Sequence, residues 1–123
     1  MSKHLVAVYG TLREGQGNWR WALNHPGAKK LGACEVPSFV MYSTGGFPAC
    51  VPGSDESVVQ VEVFEVDDKT FGQLDGLEGY PTMYDRHQID TEFGRAWIYV
   101  WQRGTEGMPK VENGDWVAYR QAG

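Results

Sequence analysis

Residues 57–66, with the sequence SVVQVEVFEV, alternate in the way that an extended chain requires. Val59, Val61 and Val63 occupy every second position, and Gln60 and Glu62 lie between them. Successive side chains of a strand point to opposite faces, so a period of two indicates a β-strand. A single strand is not stable alone in water. The chain is therefore expected to build a sheet around this segment.

Other segments show the patterns of further strands. Residues 4–9 (HLVAVY) form a short apolar run closed by Gly10, which is typical of a buried strand. YDRHQIDT and RAWIYVWQ are predicted to pair antiparallel through a turn at Phe93–Gly94. Residues 28–44 indicate one long bent strand or two short ones, because a glycine and a proline interrupt them.

Two segments change to helical spacing. NWRWALNH is predicted to form a short helix with Asn18 as its N-cap. A second helix is predicted over about 68–78, where apolar residues recur every third position and Gly79 can end the helix. The tail is expected to hold a loop, a tight NGD turn and a short closing segment.

These elements define the expected fold class. Strands outnumber helices, which predicts an α+β fold with a mainly antiparallel, curled, barrel-like mixed sheet and one or two short helices. A length of 123 residues fits a single domain over residues 1–123 and has no room for a second one.

Composition and charge exclude several function classes. Eleven Lys and Arg against sixteen Asp and Glu give a net charge of −5, without the basic cluster that nucleic acid binding requires. No segment approaches the roughly 18 apolar residues of a membrane helix, and the N-terminal apolar run is too short for a signal peptide. We therefore expect a cytosolic protein that binds neither nucleic acid nor membrane.

The two cysteines and the three histidines give no sign of a cofactor site. Cys34 and Cys50 could form a disulfide, act as nucleophiles or simply fill space. Without a secretion signal, buried free thiols are the favoured interpretation. No histidine stands in a pattern with either cysteine, and no His, Cys or carboxylate group has metal-ligand spacing. No metal and no cofactor are expected.

Residues 10–17 (GTLREGQG) link the first strand to the first helix. Several backbone N–H groups of this loop are expected near a helix N-terminus, where they suit an anionic or developing negative oxygen. The loop has glycines but lacks the G-K-[ST] ending of a phosphate loop, so ATP or GTP binding is not expected.

Glu78 is the second notable feature, because it ends an otherwise apolar helix face directly before Gly79 and Pro81. An exposed glutamate has a pKa of about 4.3, and partial burial can raise it into the range of a general base. Spacing alone favours a solvated residue at a helix end. The same applies to Asp75, one turn earlier.

Four motifs occur in order along nearly the whole chain: VYGTLREGQGNWRW, LDGLEGYPTMYDR, AWIYVWQ and NGDW. Together they resemble the γ-glutamylcyclotransferase-like superfamily and, within it, the γ-glutamylamine cyclotransferase branch, which is also linked to avirulence-induced plant proteins. The resemblance implies a small mixed fold with a partly closed sheet and a pocket between the YGTL loop and a carboxylate. Family members of known activity cyclise a γ-glutamyl group, releasing an amine and 5-oxoproline, with one glutamate as acid/base and no metal.

The resemblance also assigns residues. Glu78 matches the family's glutamate, and the loop that cradles the substrate is matched by Tyr9, Gly10, Thr11 and Leu12.

Tyr84 was not assigned by the resemblance and allows two interpretations. Its hydroxyl can line the same pocket, or Tyr84 can be a core tyrosine whose hydroxyl has a partner in the protein. The leaving group is expected to contact the loops 43–48 (STGGFP) and 103–110 (RGTEGMPK).

The leading interpretation is a metal-independent γ-glutamyl cyclotransferase acting on a small γ-glutamyl amine or γ-glutamyl amino compound. An alternative is a small-ligand binding module that uses the same pocket without turnover. The carboxylate of Glu78 favours the enzyme, because a binder of anionic ligands gains nothing from a negative charge in its pocket. A structural or interaction protein with a vestigial pocket is a third interpretation, and the oligomeric state stays open.

Overall fold

The computed structural model describes residues 3–53 and 57–122. Ten elements follow one another along the chain: β1 (Lys3–Val8), α1 (Trp19–Ala22), β2 (Ala28–Pro37), β3 (Phe39–Ser43), β4 (Pro48–Pro52), β5 (Val58–Asp67), α2 (Asp68–Glu78), β6 (Tyr84–Thr91), β7 (Gly94–Trp101) and α3 (Trp116–Ala122).

Five strands form one sheet in the order β2-β5-β1-β7-β6, and β3 and β4 form a separate hairpin. Only the pair β1 and β7 is parallel among the five described strands of this sheet, and the other pairs are antiparallel. The predicted α+β class with a mainly antiparallel mixed sheet is therefore confirmed. The ladder ends at β2 and β6 and does not close into a barrel, and the β3–β4 hairpin packs on one face of the sheet.

Each face of the sheet carries its own core. On one face Val59, Val61 and Val63 of β5 pack with the β3–β4 hairpin and with Trp116 of α3. On the other face Phe64 and Val66 pack with α1 and α2. Successive side chains of β5 therefore point into two different cores. Because both faces are covered, even the charged Glu62 is only 7% exposed.

The structure divides residues 28–44 into two strands that belong to different sheets. The break lies at Ser38, whose φ of 68° is in the left-handed region. The division into two strands was one of the two predicted possibilities, whereas β4 was not predicted, and the described chain has three helices instead of the predicted one or two. Helix α3 has a local cap, since the Asp115 carboxylate accepts the Ala118 N–H at 3.1 Å, but it was missed because it has only seven residues and depends on Trp116 packing against distant strands.

Helix α2 matches its prediction closely because its signals are local. The Asp67 carboxylate accepts the Thr70 N–H at 2.8 Å at the start. At the end Gly79 adopts φ 65°, a conformation that favours glycine, and its N–H bonds back to the last turn. Glu78 is thereby fixed as the final residue of the helix.

Both cysteines are free thiols, as favoured. Cys50 is buried, whereas Cys34 is only partly buried. No helix among residues 3–53 and 57–122 has the length and apolar character to cross a membrane.

Candidate active site

A cavity of about 280 Å³ opens where β1 ends. Its wall is built from the end of β1 with the following loop, the start of β4, the end of α2, and residues of β6 and β7. All six residues proposed from the sequence line it: Tyr9, Gly10, Thr11, Leu12, Glu78 and Tyr84. The structure therefore brings together residues that are up to 75 positions apart in the chain.

The loop after β1 lines this cavity and contains backbone N–H groups that no acceptor uses among the described residues. Its carbonyl groups are used, because Gly10 accepts the Arg13 N–H at 3.0 Å and Thr11 accepts the N–H groups of Asn18 and Trp19 at 3.0 and 3.1 Å. Within the described residues, no acceptor is found for the N–H groups of Gly10, Thr11 and Leu12. Backbone N–H groups rarely lack a partner, so these three are available to a ligand.

Gly10 is required by close contact with β4. A Cβ at this position would lie 2.6 Å from the Cγ of Pro48, which is closer than real Cβ atoms approach. Pro48 in turn accepts the Tyr84 hydroxyl at 2.7 Å through its carbonyl oxygen. The missing side chain thus allows the loop and β4 to meet at the cavity.

Ion pairs hold the far end of the loop. Arg13 donates from Nε to Glu62 Oε2 at 3.0 Å and from Nη1 to Asp115 Oδ1 at 2.8 Å. The Glu14 N–H also donates to Glu62, at 2.6 Å. A charge-assisted pair of this kind, largely removed from water, keeps the loop in one conformation.

Three tyrosines surround the cavity, and each hydroxyl donates to another part of the protein. Tyr9 donates to the carbonyl of Tyr99, Tyr84 to Pro48, and Tyr99 to Asp75 Oδ1, all at 2.7 Å. Burial raises the pKa of each tyrosine, and the nearby charge of Glu78 acts in the same direction. The tyrosines therefore stay neutral, and their O–H groups do not stabilise the Glu78 carboxylate.

Glu78 lines the cavity with a carboxylate that has no partner among the described residues. Burial of its side chain among the residues of the cavity raises its pKa to about 7. No hydrogen bond or ion pair to it is found in the described part of the chain. The carbonyl groups at the end of α2 act in the same direction, because they disfavour a negative charge at a helix C-terminus. The free carboxylate is a base that can exchange a proton near neutral pH.

Asp75 differs from Glu78 because it is fully paired. It accepts the Tyr99 hydroxyl on Oδ1 and Arg86 Nη1 on Oδ2, the latter at 2.6 Å. The Arg86 guanidinium also stacks between aromatic rings, 4.3 Å from the centroid of Tyr80 and 4.4 Å from that of Phe71. Arg86 and Asp75 are thus a structural pair outside the cavity lining.

A second groove contains the loop expected to contact a leaving group. Residues 106–109 line it together with residues 43–45, and none of the residues 103–110 lines the cavity. The cavity lining therefore does not support the expectation for this loop, which the Ser43 N–H bonds to the end of β3 through the Pro109 carbonyl. Residues 46–48 of the other loop do line the cavity.

Comparison with known proteins identifies the family. The family model described as "Gamma-glutamyl cyclotransferase, AIG2-like" matches residues 6–118. The chain belongs to this family. The Escherichia coli K12 protein named "Gamma-glutamylcyclotransferase family protein YtfP" is 39% identical over 112 residues, which cover 91% of this chain and 95% of that protein.

Two further relatives extend the γ-glutamyl cyclotransferase family assignment. A protein from Vibrio cholerae is 42% identical over 115 residues, covering 93% of this chain and 96% of its own length. The crystal structure of an uncharacterized protein from Pyrococcus horikoshii superposes with a TM-score of 0.82 at 33% identity, covering 97% of this chain and 94% of that one. The fold and its order of elements are therefore those of the family.

Sequence reasoning missed several cavity residues of this family member. Tyr99, Leu77 and Met83 line the cavity, as does Asn18, which was noted only as a helix cap. A signal existed for Tyr99, because strand alternation places it on one face of β7 between two tryptophans. The others could not be found, because their position depends on how distant elements pack.

The raised pKa of Glu78 predicts a pH-dependent stability. Between about pH 4.5 and 7 the folded protein binds a proton at Glu78 that the unfolded chain releases, so this residue lowers the unfolding free energy as pH rises. Glu78→Gln should therefore be more stable than wild type by about 1–3 kcal/mol above pH 7, and little different near pH 4.5. Thermal unfolding of both proteins across this pH range measures the difference.

The matched control for this comparison is Glu92→Gln, which removes the same charge at the exposed β6–β7 turn. A stability difference between Glu78→Gln and wild type that does not change with pH would show that Glu78 titrates alike in the folded and unfolded states.

Proposed function

We propose that the protein is a γ-glutamyl cyclotransferase that converts a γ-glutamyl amine or γ-glutamyl amino compound into 5-oxoproline and a free amine, with Glu78 as general acid and base. The observation that carries this proposal is the Glu78 carboxylate, whose pKa is raised to about 7 and which lines the same cavity as Gly10, Thr11 and Leu12. The backbone N–H groups of these three residues have no acceptor among the described residues. Family membership supports the same reaction.

Proton transfer is the task of Glu78. The α-ammonium of the substrate must lose a proton before its nitrogen can attack the γ-carbonyl carbon, and a base within about 3 Å of that nitrogen can take the proton. The new C–N bond closes the five-membered ring. Protonated Glu78 then gives the proton to the leaving nitrogen as the original amide bond breaks. A pKa near 7 suits both directions of this transfer.

The loop amides stabilise negative charge. During the attack the γ-carbonyl oxygen becomes an oxyanion, and the substrate also carries an α-carboxylate. The N–H groups of Gly10, Thr11 and Leu12 can donate to these oxygens without a charged side chain. A single donor of this kind contributes about 100- to 1000-fold to the rate.

The cavity also lowers the activation barrier by fixing the conformation of the substrate. The reaction is intramolecular, so a cavity that holds the γ-glutamyl chain folded brings the nitrogen close to the γ-carbonyl carbon. The conformational entropy is then lost on binding and does not add to the activation barrier. The walls suit this role, because the side chains of Tyr9, Tyr84 and Tyr99 are buried and their hydrogen bonds hold them in one position.

The experiment that tests the proposal is incubation of the purified protein with γ-glutamyl amines and γ-glutamyl dipeptides, followed by mass spectrometry of 5-oxoproline. Formation of 5-oxoproline from one class supports the enzyme and identifies the leaving group. If the folded protein yields none from any compound but retains a ligand unchanged, the non-enzymatic binding module is correct instead.

The same reaction predicts a pH profile. As pH falls through about 7, Glu78 becomes protonated and can no longer accept the substrate proton, so kcat/KM should fall about tenfold per pH unit below that point. The profile should be measured with two substrates that release different amines. An ascending limb that moves with the leaving amine would assign it to the substrate instead of Glu78.

A further inference from the structure

Three large apolar side chains surround the mouth of the cavity. Phe47, Leu77 and Met83 all line it, and they are 38%, 37% and 39% exposed. In the described part of the chain only two other large apolar side chains are this exposed, Trp21 and Tyr80. Exposed apolar surface is thus concentrated where a substrate would enter, and such concentration marks a binding surface.

Phe47 is held in place before any ligand arrives. Its N–H donates to Thr44 Oγ1 at 3.2 Å, and its carbonyl accepts both the Thr44 N–H at 3.0 Å and the Thr44 hydroxyl at 2.8 Å. The Phe47 ring also packs against Trp101, with ring centroids 5.8 Å apart. A fixed aromatic wall binds an apolar group without losing further conformational freedom.

The cavity offers no ionic partner for a charged leaving group. Glu78 is the only Asp, Glu, Lys, Arg or His among its described lining residues. A carboxylate on the leaving group would meet no cation and would lie near the like charge of Glu78. A second ammonium would pair with Glu78 and weaken it as a base.

We propose that the leaving group is an apolar amine, with a hydrocarbon or aromatic body that lies against Phe47, Leu77 and Met83 and carries neither a carboxylate nor a second ammonium. The inference rests on the proposed cyclotransferase function and names its substrate class. The amide bond to this amine breaks as the ring nitrogen forms its bond, and the nitrogen of the amine takes the proton from Glu78. The apolar body then also excludes water from the carboxylate.

Three substrates separate the parts of this inference. γ-Glutamyl-phenethylamine and γ-glutamyl-ethylamine differ in the apolar body, while γ-glutamyl-phenylalanine adds one carboxylate to the phenethyl compound. We expect kcat/KM for the phenethyl compound to exceed that of the ethyl compound about tenfold, the scale on which apolar pockets discriminate. We expect kcat/KM for the phenethyl compound to exceed that of γ-glutamyl-phenylalanine by a similar or larger factor.

Two methionines provide matched variants. Met83→Ala removes part of the mouth and should lower the ratio of kcat/KM between phenethyl and ethyl compounds several-fold. Met108→Ala removes the same side chain from the second groove, which does not line the cavity, and should leave the ratio unchanged. The ratio is measured within each variant, so a general loss of folded protein cancels.

The outcomes distinguish this inference from the function on which it rests. If none of the three compounds yields 5-oxoproline but another member of the γ-glutamyl panel does, the function stands and the apolar leaving group is overturned. If no member of the panel reacts, the proposed function fails and the inference falls with it. If all three react with similar kcat/KM, the function stands and the apolar leaving group is overturned. A preference for γ-glutamyl-phenylalanine, or equal effects of Met83→Ala and Met108→Ala, overturns it as well.

Discussion

Glu78→Gln should reduce 5-oxoproline formation at least about 1000-fold while the protein still folds and binds substrate, since general acid–base catalysis contributes up to about 10⁴-fold. Glutamine keeps the size of the side chain but cannot accept the ammonium proton. The loss should appear in kcat. KM should rise as well, because glutamine loses the attraction between the carboxylate and the substrate α-ammonium. The fold should be kept, because no hydrogen bond or ion pair of the described protein depends on the carboxylate. Steady-state kinetics with the best substrate of the panel measures both parameters.

Two variants control this prediction. Glu92→Gln removes an equal charge at the exposed β6–β7 turn and should retain full activity. Glu78→Asp keeps the acid but shortens its reach by one methylene, so its activity should fall between those of wild type and Glu78→Gln. Unchanged turnover in Glu78→Gln would exclude Glu78 as the base and direct attention to a proton acceptor on the substrate itself.

Helix α2 shows what could be predicted from the sequence alone. Its bounds were correct because the signals are contiguous: Asp67 caps the start and Gly79 ends it with a positive φ. The same holds for the β6–β7 pair, whose turn joins neighbouring segments. Elements with local signals need no knowledge of the rest of the fold.

Helix α3 and strand β4 show the opposite case. Trp116 is 2% exposed because it packs against a core formed by strands far away in the chain. Strand β4 exists because it pairs with β3, and Gly10 contacts its first residue, Pro48. Such contacts depend on tertiary packing, which overrides weak local propensity.

The candidate site was predictable only in part for the same reason. Glu78 and the loop after β1 lie in motifs that can be recognised. The motifs do not predict that the Glu78 carboxylate has no hydrogen-bond or ion-pair partner among the described residues. That property arises because the hydroxyls of Tyr84 and Tyr99 donate to Pro48 and Asp75 instead. The acid–base character of Glu78 therefore depends on hydrogen bonds between residues that no local pattern connects.

Gly114→Ala should strongly destabilise the fold, although Gly114 lies outside the cavity. Its φ is +66°, which disfavours alanine by about 1–2 kcal/mol. An added Cβ would also lie 2.0 Å from the carbonyl oxygen of Val58, where backbone cannot move aside cheaply. We expect a total destabilisation above about 3 kcal/mol and a Tm lower by roughly 10 °C or more. Thermal unfolding by circular dichroism measures it.

Gly107→Ala is the matched control, because Gly107 has a φ of +78° but open space where the Cβ would stand. It shares the conformational penalty without the collision, so its Tm should fall by only a few degrees. Equal effects of the two variants would show that φ alone, and not the contact with Val58, makes Gly114 necessary. The close approach of Gly114 to β5 positions the candidate site. The Gln60 N–H donates to the Gly114 carbonyl at 2.8 Å, and the next residue, Asp115, forms an ion pair with Arg13. The turn therefore connects β5 to the loop that supplies the backbone donors of the candidate active site.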